Sequence, residues 1–182
     1  MNNSQIQKKK ILNVLTFITV LILFSIITVV FLGFRVLGLS YYKDLKKIAE
    51  QYNVDPKLVM AICKTESSFR SDAISHSGAV GIMQVMPKTA EWIAETNKFD
   101  YEYDYLFEVD YNAKIGCLYL LYLQNKFSFE WTIVAYNAGE NMASRWIKNN
   151  VSLDNIPYPE TRNYLKKVLS NYNIYKVLLG NR

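Results

Sequence analysis

The sequence predicts a mainly α protein with little β structure, in which one apolar helix precedes a folded domain. Three observations carry that prediction. Apolar residues recur at spacings of three and four through most of the chain after residue 40. No run of any length alternates with period two, and there is no internal repeat or low-complexity segment. Helix starts are marked by Asp55-Pro56 and by Pro87.

The first element is the run from Ile11 to Phe34, in which 24 positions carry no charge. As a helix it is about 36 Å long, enough to cross a hydrocarbon core of about 30 Å. Gly33-Phe34-Arg35-Val36-Leu37-Gly38 offers no small-residue cleavage site, and no cysteine follows to take a lipid. An uncleaved signal anchor is therefore expected, with a cleaved secretory peptide as the alternative. Lys8, Lys9 and Lys10 outweigh Arg35, which predicts a single-pass protein of the cell membrane with its N-terminus in the cytoplasm and its domain outside. The expected layout is a basic tail at 1–10, a transmembrane segment at 11–34, a short linker at 35–40 and one domain at 41–182.

Within the domain, Tyr41 to Tyr52 reads as an amphipathic helix with Leu45, Ile48, Ala49 and Tyr52 inward. Asp55 is a good N-cap for a second helix, whose apolar side is Leu58, Val59, Ala61, Ile62 and Cys63. A third starts at Pro87 and runs from Lys88 to Thr96. Residues 97–111 read as an irregular, tyrosine-rich connection, whose rings either line a sugar groove or pack over a long loop. Asn112 to Lys126 is strongly apolar, and Gly116 is expected to allow close helix packing. Phe129 to Ala135 leads into Tyr136-Asn137-Ala138-Gly139, where Gly139 reads as a C-cap. Arg145, Trp146 and Ile147 belong to a short helix, 149–159 is a polar loop, and Glu160 to Leu179 is the last helix.

Charge and composition remove several function classes. Of 21 basic residues, Lys8, Lys9, Lys10 and Arg35 flank the apolar run, leaving 17 against 16 acidic residues in the rest. The domain is near neutral and shows no basic patch, so no nucleic-acid partner is expected. Cys63 and Cys117 fit no zinc or CxxC spacing and read as two buried thiols, or as one disulfide in an oxidising compartment. His76, the only histidine, sits in a serine-glycine loop as an exposed polar residue and completes no triad or metal site.

The remaining candidate chemistry centres on Glu66. It lies three, four and seven residues after Cys63, Ile62 and Val59, so it continues their buried stripe. A carboxyl at the edge of such a stripe is partly desolvated, which raises its pKa and suits it to general acid work. On spacing alone, an exposed glutamate in a last helical turn is the competing reading. Gly78 and Gly81 downstream permit tight turns and close approach of a ligand, and Gln84 adds a donor and an acceptor. Met83, Val85 and Met86, taken alone, read as core.

Four blocks then carry a resemblance: Glu66-Ser67-Ser68-Phe69, Gly78-Ala79-Val80-Gly81-Ile82-Met83-Gln84-Val85-Met86-Pro87, Ala135-Tyr136-Asn137-Ala138-Gly139 and Pro159-Glu160-Thr161-Arg162-Asn163-Tyr164. In this order, with Asn112 and Tyr119-Leu120 between them, they resemble the soluble lytic transglycosylase family of peptidoglycan-cleaving enzymes over roughly residues 41–180. The resemblance implies a lysozyme-like helical fold and a catalytic domain at 41–182. It implies that Glu66 is the catalytic acid and base, with Tyr136 beside the scissile bond. Ser75, Gln84, Met86, Asn137, Glu160 and Tyr164 would bind or orient sugar. Asn141 departs from the second glycine that the family often carries after its Ala-Tyr-Asn-Ala-Gly motif.

The implied reaction needs no metal or organic cofactor. Glu66 protonates the bridging oxygen between N-acetylmuramic acid and N-acetylglucosamine, the acetamido group assists, and the sugar's own 6-hydroxyl closes a 1,6-anhydro end. Glu160 reads as part of a helix start far along the chain, which leaves Glu66 as the one carboxylate of the motif regions in the right setting. Peptidoglycan strands and the membrane are the expected partners. The short tether also suggests an envelope-spanning secretion or conjugation assembly. A hydrolytic muramidase and a non-catalytic, membrane-anchored binding or scaffold module are the alternatives.

Overall fold

The computed structural model describes residues 3–180. Met1, Asn2, Asn181 and Arg182, at the ends of the expected tail and domain, lie outside the described residues, as do the side chains of Lys8 and Lys9. The chain falls into two compact units, Met1–Ser40 and Tyr41–Arg182.

The first unit is helix α1, Asn3–Val36. Its segment Leu15–Val36 is long and apolar enough to cross a membrane. The hydroxyls that interrupt the run are satisfied within the helix. Thr16 donates to the Leu12 carbonyl at 2.9 Å, Thr19 to Leu15 at 2.9 Å, Ser25 to Ile22 at 3.1 Å and Thr28 to Phe24 at 2.8 Å. Back-bonding of this kind is what makes Ser and Thr tolerable where no water can reach them.

The second unit is helical, and its extended contacts among the described residues are the antiparallel bridges Ile74–Val80 and Val80–Val85. Helix α2, Tyr42–Gln51, buries Leu45 and Ala49. Helix α3, Pro56–Glu66, starts as expected, with the Asp55 side chain accepting from the Lys57 amide at 2.8 Å. Six consecutive residues of α3, Leu58 to Cys63, are buried. The helix is therefore enclosed on all sides rather than along one stripe, as befits the central rod of a small domain. It packs on α2 and on α8, Pro159–Leu179, which in turn packs on α6, Phe129–Ala138.

The other elements are α4, Pro87–Asn97, α5, Val109–Gln124, and α7, Glu140–Lys148. Helix α5 begins three residues earlier than the apolar pattern suggested, and a 3-10 turn, Tyr103–Phe107, occupies part of the supposed irregular connection. The tyrosines there pack against one another, Tyr105 on Tyr111 at 5.3 Å and Tyr103 on Phe107 at 5.7 Å. They form a satellite cluster over the loop. Gly116 does give close packing, but what it admits is the side chain of Met83 from the loop before α4, which any Cβ there would strike. Cys63 and Cys117 are free and buried, and burial raises both thiols, Cys117 to about 12.

Candidate active site

The site begins where α3 ends. Ser68 and Phe69 both take positive φ, 53° and 66°, so the chain turns sharply just past Glu66. Non-glycine residues hold such angles only when their surroundings enforce them. Phe69 is buried and stacks on Tyr41 at 5.8 Å, and the buried Ser67 hydroxyl donates to the Ile82 carbonyl at 2.8 Å. Glu66 is thereby fixed at the rim of the core.

The loop that follows is pinned by one residue. Asn112 of α5, fully buried, accepts from the Met83 amide at 2.9 Å and donates to the carbonyls of Val80 and Leu106 at 2.9 and 2.8 Å. Gly81 has φ +82° and sits so close to Asn112 and the Leu106 carbonyl that no Cβ fits there. The Gln84 amide donates to the carbonyls of Ala73 and Gly81, and its backbone sits at φ 50°. Ser75 closes the tip, its hydroxyl accepting from the Ala79 amide at 2.9 Å. Backbone groups that no regular sheet would pair are thus paired locally.

Two cavities share Asn137 in their walls, and Glu66 lines one of them. One, about 310 Å³, is bounded by Thr65, Glu66, Asn137, Glu160, Tyr164 and Lys167 among others. The other, about 250 Å³, has Gln84, Met86, Tyr119, Tyr136, Asn137 and Gly139 in its wall. Of the residues expected at the site, Glu66, Tyr136, Asn137, Gln84, Met86, Glu160 and Tyr164 line one cavity or the other. Ser75 lines neither, its described bonds all serving the loop. Met86 is 42% exposed rather than core, while Met83 and Val85 are buried.

Two tyrosines and two acids set the electrostatics. Burial lifts the Glu66 carboxyl to about 7, against the opposing hydrogen bond from Tyr164 and with a further upward push from Glu160. Tyr164, only 7% exposed, donates to Glu66 Oε1 at 2.7 Å. Tyr136 donates to the Met83 carbonyl at 3.0 Å, and burial followed by the charge of Glu66 raises both phenols well above their usual value. Asn137 accepts from Thr161 at 2.8 Å, which ties α6 to α8 beside the acid. Glu160, which the sequence pattern placed at a remote helix start, shares the cavity of Glu66, because α8 packs against α3 and brings its first turn there.

The pattern of the sequence did not single out Lys167, Asn163 or Tyr119 as lining residues. The first two follow Glu160 on one face of α8 at helical spacing, a signal that was present once Glu160 was marked. Tyr119 lies 5.5 Å from Tyr136 and runs parallel to Tyr122 at 6.4 Å, with Trp92 edge-on to both. The aromatic rings that line this cavity, Tyr119 and Tyr136, therefore come from α5 and α6, not from residues 97–111.

The transglycosylase SLT domain family matches residues 44–158. The soluble lytic murein transglycosylase of Escherichia coli K12 is 31% identical over 156 residues, covering 78% of this chain and 24% of that protein. The membrane-bound lytic murein transglycosylase C of Actinobacillus pleuropneumoniae is 31% identical over 159 residues, covering 71% of this chain and 44% of that protein. Among solved structures, an inactive mutant of the lytic transglycosylase Slt from Pseudomonas aeruginosa superposes with a TM-score of 0.74 at 30% identity, over 79% of this chain and 25% of the other. A complex of the 70-kDa soluble lytic transglycosylase with bulgecin A gives 0.75 at 28% identity, over 80% and 25%. The chain spans about a quarter of the length of these soluble relatives and under half of the membrane-bound one.

Proposed function

The chain belongs to the transglycosylase SLT domain family, and from that premise we propose that it cleaves the β-1,4 bond between N-acetylmuramic acid and N-acetylglucosamine in peptidoglycan, leaving a 1,6-anhydromuramoyl end. The observation that carries the reading is the Glu66 carboxyl, held at about 7 by burial in the wall of a cavity that shares Asn137 with a second one. Such a group carries a proton near neutral pH and can give it to a bridging oxygen. Once ionised, it can take the proton of the 6-hydroxyl as that oxygen attacks the anomeric carbon of its own ring. Attack within the ring needs no second reactant, which favours it strongly.

Tyr136 fits a supporting role. Its proton is directed to the Met83 carbonyl, so its oxygen is left with lone pairs toward the cavity it lines. Lone pairs stabilise the positive charge that develops at the anomeric centre. Gln84 and Asn137, both engaged with neighbouring groups, would hold the shape of the walls that sugars meet. We further propose that α1 anchors the domain in the membrane by a single pass with the N-terminus in the cytoplasm, on the strength of its length and its internally bonded hydroxyls.

Glu160 gives the hydrolytic alternative one observation in its favour, since a second carboxylate in the cavity of Glu66 could hold a water. Mass spectrometry of fragments released from purified peptidoglycan separates the two. Anhydro ends are expected; reducing ends would replace this reading with a muramidase, and no fragments at all would leave a binding module.

A further inference from the structure

The cavity beside Glu66 is chemically lopsided. Glu66 and Glu160 stand toward the start of α8, and Lys167 stands two helical turns further on, about 10 Å along the axis from Glu160. Lys167 is the only cation lining either cavity, is exposed, and forms no ion pair among the described residues. The ammonium is therefore available to a ligand. The sugar hydroxyls and acetamido groups of a glycan backbone are neutral and give it nothing to pair with. The groups of a peptidoglycan strand that do are carboxylates, on the lactyl arm of the muramic acid or on the peptide stem it carries.

Resting on the proposed peptidoglycan substrate, we propose that Lys167 is a specificity-determining residue that pairs with a carboxylate of the strand lying in this cavity. Asn163, one turn before it in the same wall, is placed to donate to the same group. The pairing favours strands whose carboxylates are ionised over strands in which they are masked. Because the pair is exposed, the preference is up to about fivefold in affinity, and salt weakens it.

The test is binding of soluble strands to the full-length chain in detergent, carrying Glu66→Gln so that no strand turns over. Three strands are compared: stems intact, stem carboxylates amidated, and stems removed so that the lactyl carboxylate is free. The intact strand is expected to bind several-fold more tightly than the amidated one. Lys167→Met should close that gap and Lys167→Glu reverse it. Lys167→Arg should keep it, as should Lys166→Met, which removes a neighbouring lysine outside the cavity. Lys167-dependent binding of the stripped strand assigns the lactyl carboxylate; weak binding of that strand assigns the stem. Equal affinity for intact and amidated strands together with Lys167-independent binding of the stripped strand, or a gap that survives Lys167→Met, overturns the proposal. Because turnover is not read, failure here is distinguishable from failure of the product analysis.

Discussion

Two glutamates in this protein each accept a short hydrogen bond from a tyrosine hydroxyl, Glu66 from Tyr164 at 2.7 Å and Glu140 from Tyr122 at 2.6 Å. Their carboxyls nevertheless move in opposite directions, Glu66 up to about 7 and Glu140 below the ordinary carboxylate range. The tyrosine bond lowers both, so it cannot be the cause of the difference. Burial dominates at Glu66, where the further charge acting on it is another acid, Glu160. At Glu140, Lys126 leads, bonded at 2.6 Å on the domain surface. One pair is built to keep a proton and the other to shed it. What decides the outcome is the ground on which the pair stands: the rim of the core, or the open face where α5 meets the start of α7.

The largest effect that separates the two is on turnover. Glu66→Gln keeps the shape of the side chain and removes the acid proton, so cleavage of purified peptidoglycan should fall by about a hundredfold to ten-thousandfold. Glu140→Gln should leave the rate within a small factor. Equal losses from the two changes would erase the distinction.

Next in size is the dependence of stability on pH. The Glu66 carboxyl titrates near 4.5 in the unfolded chain and at about 7 in the folded one. Between those values the folded state holds more protons, so stability falls as pH rises through the window and levels off above it. The slope is at most about 1.4 kcal/mol per pH unit, and the total roughly 3 kcal/mol. Glu66→Gln removes this penalty. Urea unfolding followed by tryptophan fluorescence should show the variant gaining on the parent from pH 4.5 to 7, since Trp92, Trp131 and Trp146 all belong to the folded unit. A constant difference across that range would mean that Glu66 is not held protonated.

How much of this contrast was legible in the sequence depends on its range along the chain. The end of α3 was legible, because Asp55, Pro56 and the run Leu58–Cys63 fix its phase and Glu66 falls where that phase meets the rim. The C-cap at Gly139 was legible for a similarly local reason. Tyr164 is 98 residues from Glu66, and Glu160 reaches the same cavity only through packing of α8 on α3. Neither approach leaves a trace in spacing; both came through the motif resemblance or not at all. Asn112 was half visible, a polar residue on the apolar face of α5, but the three loop groups it bonds are set by tertiary structure. The choice of aromatic wall had the same origin, since composition left the tyrosines of 97–111 open between groove and loop packing, and tertiary packing set Tyr119 and Tyr136 in the cavity wall.

A smaller change tests the bond that the two pairs share. Tyr164 holds Glu66 down against its burial, so Tyr164→Phe should raise that carboxyl further. If the protonated form starts the reaction, the fall in kcat/KM on the alkaline side moves to higher pH, by about one unit for a hydrogen bond to a charged group. A limb that stays in place, or moves down, would show that Tyr164 does not control the proton.

The smallest effect belongs to the exposed pair. Lys126 is the leading reason that Glu140 ionises easily, and Tyr122 only assists. Lys126→Met should therefore bring the Glu140 carboxyl back up toward the ordinary range while leaving the Tyr122 bond in place. A carboxyl lowered in the folded state lends stability above its ordinary pKa and loses it as pH falls through the lowered value. Without Lys126 that loss begins at higher pH and the gain above it is smaller. Carbon-detected NMR of Glu140 reads the shift directly, and a few hundred millimolar salt should reduce it in the parent, as screening demands of a solvent-facing pair, while the Tyr122 bond keeps part of it. The carboxyl of Glu66 should respond less to that salt, because burial leads its rise and the charge of Glu160 only adds to it. A salt response of equal size at both glutamates would mean that one electrostatic setting governs them, and the difference in their roles would have to be sought outside the structure of the two pairs.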